Sequence, residues 1–87
     1  MSKRLAVLIS NTGTGTNLQA IIDGIEKGLI NAQIAVVISD TPDALGLERA
    51  RKNNLEVAIY AKKEELLNLI QTYQVDFVVL AGWKQFI

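Results

Sequence analysis

The chain contains no cysteine and no histidine among its 87 residues. Without cysteine, disulfides and thiolate metal sites are excluded. Without histidine, the commonest general base and the commonest metal ligand are both missing. No metal site and no catalytic residue is therefore assigned. Charge of one sign is lacking as well. Nine basic and nine acidic residues cancel, and no basic tail or face marks a nucleic-acid partner. A neutral chain has little colloidal repulsion, which favours self-association. Long apolar runs are absent too. Met1-Ser2-Lys3-Arg4 leads into only five clearly apolar residues before Ser10, too few for a signal peptide or a membrane span. The expectation is a soluble, cytoplasmic protein with no membrane partner.

What is present is apolar substance for a core. Hydrophobic residues make up 49% of the chain, which argues for a packed domain and against disorder. At this length a chain buries only about 60% of the surface its unfolded form exposes, so stability is modest. No linker, repeat or low-complexity segment divides residues 1–87, which read as one domain.

The apolar residues fall into alternating patterns. Leu5–Ile9 is a short continuous run, the signature of a strand buried on both faces. Leu18, Ile21, Ile22 and Ile25 follow the spacing of an amphipathic helix, and Gly28 marks its stop. Ile34–Ile38 repeats the strand signature. Thr41-Pro42-Asp43 reads as a helix start, with a capping hydroxyl, a first-position proline and a first-turn acid. That helix is expected to run to about Asn53. Val57–Tyr60 is a weaker strand, Leu66, Leu69, Ile70 and Tyr73 form a third helical stripe, and Phe77–Leu80 is a fourth strand. The order β-α-β-α-β-α-β predicts a Rossmann-like open parallel α/β sheet, strand order 3-2-1-4, with helices on both faces. Phe77–Leu80 is the most apolar segment, of the kind that has sheet neighbours on both sides. Only Trp83-Lys84-Gln85-Phe86-Ile87 remains to cover it, so an associating edge is expected, met by a second copy or by a complementing segment.

Gly13-Thr14-Gly15-Thr16-Asn17 joins the first strand to the first helix. In an open α/β sheet ligands bind at the carboxyl ends of the strands, where strand order reverses, and this loop sits there. Its glycines allow close backbone approach. The helix behind it offers free N–H groups and the positive end of its dipole. A phosphate suits such a loop. The competing reading is local: Thr16-Asn17-Leu18-Gln19 fits a capping box, with Thr16 as cap and Gln19 reaching back. A dinucleotide fingerprint would need glycine at position 18, where Leu18 stands, and a phosphate loop of the Walker type would need Lys then Ser or Thr in place of Asn17-Leu18. NAD and ATP are therefore disfavoured. Asp40 could mimic a ribose ligand but reads better as a turn residue before Thr41-Pro42.

Three segments together resemble a known family. Leu8-Ile9-Ser10 with the loop and Leu18-Gln19-Ala20-Ile21-Ile22, then Gly46-Leu47-Glu48-Arg49-Ala50-Arg51, then Asp76-Phe77-Val78-Val79-Leu80-Ala81-Gly82 look like the phosphoribosylglycinamide formyltransferases. The resemblance implies formyl transfer from 10-formyltetrahydrofolate, as co-substrate, to the amino group of glycinamide ribonucleotide. It places the substrate phosphate on the loop Gly13, Thr14, Gly15, Thr16 and Asn17. It places the folate pocket along Trp83, Lys84, Gln85, Phe86 and Ile87. The chain departs from that family in its longer loop, with Asn11-Thr12 as the extra pair, and in Gln85 where relatives carry arginine. Lys62 or Lys63 is a candidate for a basic residue that contributes to cofactor binding in relatives. The catalytic Asn, His and Asp of the family belong to segments after the fourth strand, so no transfer by this chain alone is expected.

Other residues have plainer readings. Trp83 stacks a pteridine or covers the strand end. Glu48 and Lys52 are spaced as a helix surface pair. Lys62-Lys63-Glu64-Glu65 is a solvated first turn, and Asp76 is a turn or cap residue. Besides an enzyme part, two other functions fit: a module that binds a phosphorylated ligand without chemistry, and a self-assembling structural half-domain.

Overall fold

In the computed structural model, which describes residues 3–9, 16–42 and 45–81, β1 (Lys3–Ile9), α1 (Thr16–Glu26), β2 (Ala32–Ser39), α2 (Leu45–Lys52), β3 (Val57–Ile59), α3 (Lys63–Thr72) and β4 (Phe77–Leu80) follow in chain order. The four strands form one parallel sheet in the order β3-β2-β1-β4, as the alternation of strand and helix patterns predicts.

The continuous apolar runs are explained by burial on both faces. Val7, Ile9 and Val37 join Leu18 and Ile22 of α1 and Leu47 and Ala50 of α2 in one cluster. Ala6, Leu8, Val36 and Ile38 point the other way, against Tyr60 and Leu66, with Leu69, Ile70 and Tyr73 packed around them. Successive residues of β1 and β2 thus serve opposite layers. One irregularity breaks this parity. Leu5 pairs with Ile34 but Ala6 pairs with Val36, so Ala35 is an extra residue in β2. The bulge lets Ile34 pack with Val37, three positions on, in the α1–α2 layer.

All three helices stop by the same device. After α1, Gly28 takes φ 77°, its N–H donates to the Ile25 carbonyl at 3.1 Å, and the Leu29 N–H donates to the Gly24 carbonyl at 2.9 Å. After α2, Asn54 takes φ 59°, with Asn54 N–H to Arg51 O at 3.1 Å and Leu55 N–H to Ala50 O at 2.9 Å. After α3, Gln74 takes φ 54°, with Gln74 N–H to Gln71 O at 3.2 Å and Val75 N–H to Ile70 O at 3.1 Å. These are Schellman closures, in which a left-handed residue satisfies the last helical carbonyls and turns the chain back toward the sheet. Gly28 was legible as a stop; Asn54 and Gln74 were not.

Two expected boundaries move. α2 is described from Leu45; Thr41 and Pro42 lie in a bend and turn ahead of it, and Asp43 lies outside the described residues. The Ser39 hydroxyl accepts from the Thr41 N–H at 3.1 Å and donates to the Thr41 carbonyl at 2.7 Å. This holds the Thr41 backbone in a turn following β2. β3 ends at Ile59, although the Tyr60 N–H still donates to the Ser39 carbonyl at 3.1 Å. At the opposite end of the sheet, Asp76 is more than a turn residue. Its carboxylate accepts from the Arg4 N–H at 2.8 Å, its own N–H donates to the Arg4 carbonyl at 2.8 Å, and Arg4 Nε donates to the Tyr73 carbonyl at 2.9 Å. This clasp sets where β4 begins on β1.

Gln74 is exposed and holds a conformation that costs an L-residue about 1 kcal/mol and glycine nothing. Gln74→Gly is expected to stabilise the fold by about 0.5–1 kcal/mol, raising Tm by a few degrees. At Gly28 an added Cβ would meet nothing within 4 Å, so Gly28→Ala should lower stability by about 1 kcal/mol through backbone strain alone. Thermal melts of both variants check this, and a lowered Tm for Gln74→Gly would contradict it.

Candidate functional site

The candidate site lies on the carboxyl edge of the sheet, between β1 and β4. β1 is central and ends in the buried Ile9. β4 pairs with it from Leu5↔Phe77 to Leu8↔Leu80, and the Ala81 N–H continues the pairing by donating to the Leu8 carbonyl at 2.9 Å. The chain leaves β1 toward α1 and β2 on one side, and β4 lies on the other. The strand order therefore reverses here, the place where open α/β sheets bind ligands. α1 begins at Thr16 beside this point, with Leu18 buried beneath it and Asn17 exposed. Its first N–H groups have no partners within the helix, and its dipole is positive at that end.

Of the residues singled out in the loop, Thr16 and Asn17 fall on the first turn of α1. Gly13, Thr14 and Gly15, and the whole of Trp83, Lys84, Gln85, Phe86 and Ile87, lie outside the described residues. What is described is the framework. The two segments depart from hydrogen-bonded neighbouring strands, at the same edge of the sheet.

The capping-box reading of Thr16–Gln19 fails at Gln19. Its side-chain amide donates forward to Asp23 Oδ1 at 3.0 Å, and its carbonyl oxygen meets Arg49 Nη1 at 3.5 Å. A side chain engaged with the next turn of α1 and with α2 does not reach back to the helix start.

A second polar corner closes the carboxyl ends of β2 and β3. Ser39 is wholly buried and holds the Thr41 turn. Asp40 sits half-buried in that bend, which agrees with its reading as a turn residue. Tyr60 packs against Ala6, Leu8, Val36 and Ile38. Burial, and then the negative charge of Asp40, push the Tyr60 phenol above its ordinary value. Neither Ser39 nor Tyr60 stood out in the sequence; the available signal was a serine two residues before a threonine, the pattern of a hydroxyl-closed turn.

Lys62 and Lys63 are exposed at the start of α3, as are Glu64 and Glu65. They follow β3, the far strand of the sheet, three strand spacings or about 14 Å from β4. The fold therefore separates them from the strand that leads into residues 82–87. Glu48 and Lys52 are exposed on α2 and line, with Gln19, Leu45, Arg49 and Asn53, an open groove of about 390 Å³. A second groove of about 310 Å³ runs beside Ile22, Ile25, Ile34 and Leu55. Neither groove includes Thr16 or Asn17. Among the described residues no group of three or more acidic side chains is arranged to hold a metal ion, and no helix is long and apolar enough to cross a membrane.

Sheet order and element order define the class: a parallel, Rossmann-like α/β domain. The chain belongs to the formyl transferase family, whose model matches residues 3–87. It is 42% identical over 95% of its length to a phosphoribosylglycinamide formyltransferase of Dictyostelium discoideum, of which it covers 48%. It is 44% identical over 95% of its length to the Haemophilus influenzae enzyme of that name, of which it covers 42%. Among solved structures, glycinamide ribonucleotide transformylase 1 of Symbiobacterium toebii superposes with a TM-score of 0.87 at 43% identity, over 99% of this chain and 44% of that one. The chain thus spans a little under half the length of these relatives.

The raised Tyr60 value has a direct consequence. Between 10.0 and the higher native value, the unfolded chain has released the phenolic proton and the folded chain still holds it. The unfolded state then binds fewer protons, so stability falls as pH rises through this window and is intact below it. Denaturant midpoints measured from pH 8 to 11.5 are expected to fall more steeply in the wild type than in Tyr60→Phe. Parallel curves would show that Tyr60 ionises as freely in the fold as outside it.

Proposed function

We propose that this chain is the substrate-binding, N-terminal part of a phosphoribosylglycinamide formyltransferase. In this reading Gly13, Thr14, Gly15, Thr16 and Asn17 hold the phosphate of glycinamide ribonucleotide at the amino end of α1. Backbone N–H groups and the helix dipole supply the attraction, and the glycines let the phosphate approach the backbone. Trp83, Lys84, Gln85, Phe86 and Ile87, leaving the neighbouring strand, line one wall of the pocket for 10-formyltetrahydrofolate, the co-substrate that delivers the formyl group. The observation that carries the reading is the adjacency of β1 and β4. It supports a reading in which the segments that follow these two strands share one site, in a chain matched to the formyl transferase family over residues 3–87.

Formyl transfer has needs that this chain does not meet. The acceptor amine must lose a proton, and charge developing on the formyl oxygen must be stabilised. The chain has no histidine, and no acidic residue is assigned to the crevice. Binding and orientation of the acceptor are its contribution, and the proton-handling groups come from a complementing segment. A cytoplasmic location goes with this role in purine synthesis.

Calorimetric titration of the chain with glycinamide ribonucleotide is expected to show saturable binding that Gly15→Leu abolishes while leaving the melting curve in place. The purified chain supplied with both substrates is expected to show no formyl transfer. Binding unaffected by Gly15→Leu would move the phosphate elsewhere, and measurable transfer would mean that the chain carries its own catalytic group. Binding of inorganic phosphate equal to that of the nucleotide would favour a general phosphate-binding module.

A further inference from the structure

The amino edge of the sheet, on the α1–α2 side, carries an apolar knob beside an apolar groove. The knob is Leu29, in the turn between α1 and β2, which is 80% exposed. Its turn is fixed on both sides of the leucine. Gly28 takes φ 77°, and the Leu29 and Ile30 N–H groups both donate to the Gly24 carbonyl, at 2.9 and 3.1 Å. The Ile30 side chain lies on the bare backbone of Gly24, where a Cβ would meet Ile30 Cδ1 at 2.6 Å. Ile30 is thus pinned to α1, and Leu29 next to it is held out to solvent.

The groove beside it measures about 310 Å³. Ile22 and Ile25 of α1, Ile34 of β2 and Leu55 give it apolar walls, and the exposed Glu26 lines it as well. Leu29 belongs to the connection between the α1 and β2 walls, so knob and groove are neighbours. At 80% exposure it does not fill the groove of its own chain. A lone exposed leucine needs no explanation; a leucine on a rigid turn, next to a groove with room for an aliphatic side chain, is a self-complementary pair. The charges agree. Lys27 is exposed two positions before the knob, and Glu26 lines the groove. Under a two-fold axis each contact occurs twice, so each Lys27 is set beside the other copy's Glu26. Nine basic and nine acidic residues also leave no net repulsion between copies.

We infer that this surface joins two copies of the chain in a two-fold dimer, with the Leu29 of each seated in the groove of the other. The fixed turn lowers the ordering cost of association. One leucine per groove buries less than the ~800 Å² per copy of a standard interface, so the dimer is a weak one. The amino edge is the end of the sheet opposite the proposed phosphate site, and both copies keep that site open. The inference therefore stands apart from the proposed function.

Sedimentation equilibrium of the whole chain, from micromolar to near-millimolar concentration, tests it. A monomer–dimer equilibrium is expected. Leu29→Ser should weaken it at least tenfold, because two leucines lose their burial, and should leave the circular dichroism spectrum as it is. Glu26→Lys should weaken it by setting lysine against lysine, and adding Lys27→Glu should restore it. Amide chemical shifts of residues 22–34 and 53–55 should move with concentration, while those of α3 stay fixed. A monomer at every concentration would overturn the inference and leave the groove to another occupant. Association indifferent to Leu29→Ser, or a charge-swapped double variant as weak as Glu26→Lys alone, would overturn it too. Nucleotide binding by Leu29→Ser should match the wild type, so this surface and the proposed substrate site are tested separately.

Discussion

β1 is held on four sides, and the remaining elements are arranged around that fact. Its two edges are taken by β2 and β4. Its two faces are taken by the α1–α2 layer and by the layer around α3. Ala6, Val7 and Leu8 are fully excluded from solvent. A strand so enclosed has one register and one orientation, because a one-residue slip would exchange the residues of the two layers. α1 inherits its position from this strand through Leu18 and Ile22, and its amino end is thereby held at the carboxyl edge of the sheet. The phosphate binding proposed at that edge requires a helix start that does not move, and the burial of β1 provides it.

The sheet is not equally firm throughout. β2 is packed like β1, but β3 is three residues long and β4 is four. At β4 the residues are exposed, and the pairing with β1 is secured at its start by the reciprocal Arg4–Asp76 hydrogen bonds and by Arg4 on the Tyr73 carbonyl. The two sides of the proposed site therefore differ in strength. The wall belonging to β1 and α1 is part of the core. The wall belonging to β4 depends on four residues of one-sided pairing, and local opening should begin there.

Strands, helices and their order were legible because their signals are local. Leu5–Ile9 and Ile34–Ile38 are short apolar runs, Leu18-Ile21-Ile22-Ile25 and Leu66-Leu69-Ile70-Tyr73 keep helical spacing, and alternation of the two predicts parallel pairing in a known order. The proposal of a phosphate loop rests on the same kind of local signal, glycines set between a buried strand and an amphipathic helix. The starts and stops were harder. Thr41 and Pro42 have the residues of a helix cap, and what their pattern did not foretell is the turn that the Ser39 hydroxyl closes on the Thr41 backbone. Gln19 has the spacing of a capping box, but Asp23 and Arg49 take its amide.

By itself, then, the sequence determined the element types, their parallel order and the position of the loop, all consequences of spacing along one chain. The tertiary structure decided what depends on partners distant in sequence. It inserted Ala35 as a bulge so that Ile34 could reach the α1–α2 layer. It drove Asn54 and Gln74 into left-handed turns, because each helix must fold back onto the sheet through its following apolar residue. It set the Arg4–Asp76 clasp across 72 positions of sequence, and it left the most apolar strand at an edge with both faces open. Such outcomes follow from packing between whole layers, which is not encoded in the pattern of any single segment.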